Sequence, residues 1–243
     1  MIGGLIALGA VVAVGVIGGV VASDPRPEGE PGAAAEALTD TIQASVRVDA
    51  WAQTGAVQWT FGGRNTHLWD RVRHLDRVEW GNKTVLIDLS TQQGRAWVDD
   101  EEVTGSKADR LVGKAWAHWC NDAFWFNPIG KLRDEGTTRS LVSLPEGDAL
   151  LISYSSGGVT PGDAYLWIPG EDGRPDAWRM WVSIIPIGGV TTTWEDWQTL
   201  STGAVVATSH KMGPVDLVMA DVAGAATLSE LIPGDDPFAP LLQ

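Results

Sequence analysis

Four histidines, one cysteine and the acidic pair Asp134-Glu135 are the residues through which this chain could do chemistry. His67, His74, His118 and His210 could serve as general bases or metal ligands, since imidazole titrates near neutrality and binds zinc. No two of them have H-x-x-x-H spacing, and a lone Cys120 excludes a C-x-x-C pair, so no zinc motif is supported. His67 and His74 fall on opposite faces of a strand or on different strands, and read as polar surface residues. Asp134-Glu135, just after Lys131 and Arg133, could work as an acid–base pair, although a salt-bridged turn accounts for the same residues. There is no G-x-S-x-G, and Ser155-Ser156-Gly157-Gly158 reads as a turn because no helical pattern follows it. Gly62-Gly63 and Gly188-Gly189 read as hairpin glycines rather than phosphate loops. The expectation is a non-enzyme with no catalytic residue, no metal and no cofactor. A hydrolase using Asp134, Glu135 or a histidine is the remaining catalytic alternative, and it requires a cleft that brings two of them within hydrogen-bond distance.

Composition narrows the choice of partner. The formal net charge is -14, and no Lys, Arg, Asp or Glu precedes Asp24, so the folded part carries all of it. Nucleic-acid binding needs Lys and Arg to displace counterions, so no nucleic-acid partner is expected. Electrostatic adhesion to anionic lipid is disfavoured for the same reason. Cys120 stands inside a helical apolar pattern and is expected to be buried.

Residues 1–22 read as a signal or anchor helix. Ile2 to Val21 is uncharged and long enough to cross a bilayer. Val20-Val21-Ala22 also offers a signal-peptidase site, so the chain is expected to be exported, periplasmic and held at the inner membrane, or secreted after cleavage. Residues 23–34, with Pro25, Pro27 and Pro31, read as an extended linker.

The elements that would position any site follow from periodicity. Ala34, Leu38, Ile42 and Val46 mark one face of a helix. Val57, Trp59 and Phe61 alternate with polar residues as a strand does, and further strands are expected at His67 to Val72, Val78 to Trp80, Thr84 to Leu89 and Arg95 to Asp99. A long helix starts at Ser106, carries Leu111, Val112, Ala115, Trp116, Trp119 and Cys120 on one face, and stops at Asn127-Pro128. Strands resume at Thr138–Leu144, Ala149–Tyr154, Ala164–Ile168, Trp178–Val182, Thr191–Gln198, Val205–Lys211 and Asp216–Ala220. The fold class read from this order is mainly β (α+β): a half-open antiparallel β-barrel over residues 35–225 with an N-terminal helix and a mid-chain plug helix. Residues 226–243, with three prolines, read as a flexible tail.

Thirteen tryptophans against two tyrosines are the compositional anomaly. Trp59, Trp69, Trp80, Trp97, Trp167, Trp178, Trp181, Trp194 and Trp197 fall on expected strands. Trp178 and Trp181 differ by an odd number and cannot share a strand face. Flat indoles can line a deep apolar cavity for an acyl chain, or fill a core themselves.

The segment Phe124-Trp125-Phe126-Asn127-Pro128-Ile129-Gly130-Lys131-Leu132-Arg133-Asp134-Glu135-Gly136 resembles a stretch found in bacterial exported domains of the lipoprotein-carrier superfamily, the LolA/LolB-like half-open barrels. Thr193-Trp194-Glu195-Asp196-Trp197 resembles the closing motif of uncharacterised members. The resemblance implies a curled sheet around an apolar cavity and a lipid or acylated protein as partner. The apolar site it suggests is formed by Trp59, Trp69, Trp80, Trp97, Trp116, Phe124, Trp125, Phe126 and Trp167, with Trp125 and Phe126 near the mouth and Lys131 and Arg133 available to a headgroup. The rival expectation is a membrane-anchored interaction ectodomain whose core is filled by its own indoles.

Overall fold

The computed structural model describes residues 23–156 and 162–242. The anchor or signal run of residues 1–22, and Gly157 and Gly158 of the Ser155 turn, lie outside the described residues. Among the described residues no helix is long and apolar enough to cross a membrane.

The fold is mainly β, with two antiparallel sheets and four α-helices among the described residues. The helices are α1 (Ala33–Ser45), α2 (Val48–Ala52), α3 (Ser106–Phe126) and α4 (Leu228–Leu231). The first six strands are β1 (Ala56–Phe61), β2 (Asn65–Asp70), β3 (Leu75–Trp80), β4 (Lys83–Asp88), β5 (Gln93–Val98) and β6 (Glu101–Val103). After α3 come β7 (Thr137–Leu144), β8 (Gly147–Tyr154), β9 (Ala164–Pro169), β10 (Pro175–Trp181), β11 (Val190–Thr193), β12 (Glu195–Thr199), β13 (Val205–Met212) and β14 (Val215–Ala225). One sheet has nine strands in the order β12-β13-β14-β1-β2-β3-β4-β5-β6, and the other has five in the order β11-β10-β9-β8-β7. Neither sheet closes on itself into a barrel among the described residues.

The chain divides into two compact units. Among the described residues, the first comprises those up to Val48, those of Asn127–Trp197 and Ser209–Leu217; the second comprises Asp49–Phe126, Gln198–Thr208 and those from Val218 onward.

In the second unit β1 to β6 form a meander of short hairpins. The β5–β6 turn places Asp99 and Asp100 at φ 52° and 64°, the left-handed pair that a two-residue hairpin needs and that Asp tolerates. One face of this sheet carries Val78, Val85, Ile87 and Ala96, and helix α3 lays Val112 and Ala115 onto them. The helix approaches closely because β5 has a glycine: a Cβ at Gly94 would lie 2.3 Å from the Leu86 carbonyl and 3.2 Å from the Val112 side chain. The opposite face carries Leu68, Leu75 and Leu86. Those residues are covered by the C-terminal segment, read from its prolines as a flexible tail. Phe238 is fully buried there, with Leu228, Leu231, Ile232 and Leu241 around it. Arg73 fixes the segment by donating to both carboxylate oxygens of Asp236 at 2.7 and 3.0 Å. Apolar residues spaced between prolines give no periodic signal, so burial of this kind has no sequence signature.

In the first unit α1 packs on β7 and β8, burying Ala35, Thr39, Ile42 and Gln43. Residues 23–32, expected as a spacer, are hydrogen-bonded to the unit. Glu30 and Leu141 exchange both backbone bonds at 2.8 Å, and the Trp181 indole donates to the Asp24 carbonyl at 2.8 Å. The strand expected at Thr191–Gln198 is two strands in different sheets, broken at the buried Trp194. An indole that serves the core at the break satisfies the apolar pattern of either strand, which is why periodicity alone runs through it.

Candidate functional site

The chemistry-bearing residues of the second unit converge under α3. Register places Asn65, His67 and Trp69 of β2 on the same face, and pairs them with Trp80, Val78 and Asp76 of β3. His67 lies opposite Trp59 of β1, and the two rings stack at 4.4 Å between centroids. On α3, Val112, Ala115, Trp119, Asp122 and Phe126 recur at helical spacing, so the face that meets the sheet carries one carboxylate.

That carboxylate meets the histidine. His67 Nε2 donates to Asp122 Oδ2 at 2.9 Å, and its Nδ1 donates to Asp76 Oδ2 at 2.8 Å. All three residues are at most 1 % exposed. Burial by itself lowers the pKa of a histidine, but the charges and hydrogen bonds of Asp76 and Asp122 outweigh it and push His67 up to about 9. His67 is therefore an imidazolium at neutral pH, with both nitrogens occupied. It cannot accept a proton from a substrate, and it is not the polar surface residue expected from its position. Burial pushes Asp76 upward against the opposing charge of His67. Asn65 Nδ2 donates one hydrogen to Asp122 Oδ2 at 2.8 Å and its other to His118 Nδ1 at 3.1 Å. His118 is thereby fixed as a neutral ring with its proton on Nε2. Burial, with the nearby Lys114 and His67 charges, lowers its pKa to about 4. Asp76, Asp122 and Asn65 were not singled out from the sequence. A lone Asp on the apolar stripe of α3 was the available signal, because such a residue is tolerated only with a partner.

The aromatic residues expected to line a cavity occupy several places. Trp59 is fully buried and stacks on Phe126 at 4.8 Å, and Phe126 in turn contacts Trp51 at 5.9 Å. Trp125 is also buried. Trp69, Trp80, Trp116 and Trp119 are half-buried along the margin between α3 and the sheet, with Trp69 against Trp119 at 5.3 Å and Trp116 against Trp119 at 5.2 Å. Phe124 and Cys120 are also only partly buried. Trp97 is on the opposite sheet face, packed with the C-terminal segment, because its register partner is Thr84 and not Val85. Arg71 lies 3.9 Å above the Trp51 ring and donates to the Trp51 carbonyl at 2.6 Å; burial lowers its pKa to about 10.

Trp167, Lys131 and Arg133 belong to the first unit. Trp167 is buried with Trp178 and Trp194 at 4.8 and 5.1 Å. Lys131 pairs with Asp134 at 3.4 Å, as a salt-bridged turn would have it. Arg133 pairs instead with Glu36 and, at 2.6 Å, with Asp40 of α1. An open polar depression of about 440 Å³ in this unit is lined by Arg26, Glu28, Thr138, Ser140 and Ser153, among others. Among the described residues no cluster of three or more His, Cys, Asp or Glu could hold a metal ion.

No family model matches this chain, and no curated protein matches it. The crystal structure of a DUF1329 family protein from Desulfovibrio piger aligns over 88% of this chain and 100% of its own, with 9% identity and a TM-score of 0.41.

Proposed function

We propose that this protein is a non-catalytic binding domain that takes an apolar ligand, such as a lipid acyl chain, into the seam between α3 and the sheet of the second unit. In this reading the sheet is the wall of a half-open barrel and α3 its plug. The observation that carries it is the row of half-buried indoles, Trp69, Trp80, Trp116 and Trp119, along the margin of the seam. Large aromatic rings left partly exposed beside a packed core offer an acyl chain apolar contact, worth about 0.8 kcal/mol per buried methylene. A non-catalytic role is supported by the occupancy of both His67 nitrogens and by the Lys131–Asp134 pairing. The apolar run Ile2–Val21 supports export, with a tether at the inner membrane.

Brominated acyl chains test the reading, because bromine quenches an indole only on contact. The full chain in amphipols should lose tryptophan fluorescence saturably on adding a dibrominated phospholipid, and replacing Trp116 and Trp119 by Leu should abolish much of that loss. Unchanged fluorescence across the titration would sink the proposal. The second reading, an interaction domain with a self-filled core, is favoured by the complete burial of Trp59, Trp167 and Trp178 against other rings. It predicts that unchanged result.

A further inference from the structure

Two buried hydrogen-bond donors without acceptors and a partly exposed lysine lie together beside α3. Trp80 and His118 rings meet edge-on at 5.2 Å, and the Lys114 ammonium lies 5.7 Å from the Trp80 ring centre. Lys114 and His118 are one helical turn apart on α3, so their side chains share a face. Trp80 Nε1 is buried with no partner, and an indole nitrogen can only donate. His118 Nε2 is likewise buried with no partner. Its role is not a free choice: the Asp122 carboxylate can only accept, so the Asn65 atom between Asp122 and His118 is the amide nitrogen, and His118 Nδ1 must accept from it. The remaining proton is on Nε2. Lys114 forms no ion pair among the described residues. A buried donor left without an acceptor is costly, so two of them beside a lysine ammonium favour a ligand that supplies acceptors.

We propose that Lys114 Nζ, Trp80 Nε1 and His118 Nε2 form a donor-only site for an anionic oxygen group, a carboxylate or a phosphate. As the headgroup site of an acyl ligand it rests on the binding reading above; as a site for a small free anion it stands without it. The charges permit an anion. The buried Asp76 and Asp122 are offset by His67, which bonds both, and by Arg77 beside Asp76, so they repel an incoming negative group less than the acidic protein surface does. Trp80 is only half-buried, and access of the ligand to both buried nitrogens requires its side chain to rotate. The donor set excludes a cation, because none of the three atoms can ligate one.

The test follows the Trp80 indole N–H in nitrogen-15 spectra of the full chain in amphipols, assigned by Trp80→Phe, during titrations with dodecanoate, methyl dodecanoate, acetate and inorganic phosphate. Dodecanoate should move the resonance, and Lys114→Met should weaken its binding about tenfold, the loss expected for one charge-assisted hydrogen bond. His118→Asn should do likewise, because Asn keeps an acceptor for Asn65 and removes the Nε2 donor. Binding of methyl dodecanoate should not respond to Lys114→Met. Saturation by acetate or phosphate with the same sensitivity supports the site and assigns it to a free anion. If dodecanoate and its ester bind equally and Lys114→Met changes neither, the donor site is overturned while the apolar reading stands. If only the small anions bind, the apolar reading fails and the site survives. If nothing binds, both fall.

Discussion

Replacing Asp122 by Asn probes the one ionic contact that α3 makes with the sheet core among the described residues. In the native protein His67 holds its proton to a pKa of about 9, against 6.5 in the unfolded chain. A tenfold gain in proton affinity is worth about 1.4 kcal/mol, so the His67 proton contributes about 3 kcal/mol of stability. Because the folded pKa is the higher one, that contribution is complete below pH 6.5 and disappears as the pH rises through 9. Asp122→Asn removes one of the two carboxylates that raise the pKa, and an amide whose oxygen accepts from His67 and Asn65 turns its NH2 toward the Asn121 amide nitrogen, itself a donor. Breaking a buried charged contact from one side costs about 3–5 kcal/mol, so at pH 6.5 the variant should be less stable by about 3 kcal/mol. At about pH 9.5 the wild-type histidine is neutral and has lost its advantage, while in the variant a neutral His67 can donate to Asp76 and accept from the new amide. The gap should therefore close with rising pH. Urea unfolding at both pH values, followed by tryptophan fluorescence and far-ultraviolet circular dichroism, measures it. A gap that stays constant from pH 6.5 to 9.5, or a wild type equally stable at both, would refute the assignment of His67 as a buried imidazolium.

Two packing predictions accompany it. Gly94→Ala should destabilise the second unit by about 1–3 kcal/mol, since its methyl meets the Leu86 carbonyl and Val112 with no room to move; a midpoint in urea equal to wild type would show that α3 does not lie this close. Phe238→Ala should cost about 3–5 kcal/mol and open the C-terminal segment to limited proteolysis near Asp235, and a variant with wild-type melting temperature and protease resistance would contradict its role as the buried anchor.

Much of the fold is legible in the chain because it is local. Alternation in Val57, Trp59 and Phe61 marks β1, and the apolar stripe from Val112 to Phe126, ended by Asn127-Pro128, marks α3 almost to the residue. Side-chain period depends only on backbone geometry, so neighbouring residues carry the information. What periodicity cannot supply is which strands share a sheet. The break at Trp194 and the division into two units depend on pairings between residues far apart in the chain.

The candidate site divides along the same line. Composition and spacing already establish that the chain is acidic, rich in tryptophan on strands and poor in catalytic or metal-binding motifs. Folding selects which indoles are accessible. Trp59 and Trp69 share a sheet face, yet Trp59 is fully buried and Trp69 only partly, while Trp97 is on the other face because its register differs by one residue. It also decided that His67 is a buried cation. A pKa is set by charges within a few ångströms, and Asp76 and Asp122 reach His67 from a neighbouring strand and from a helix that begins about forty residues later in the chain, a proximity that only folding creates.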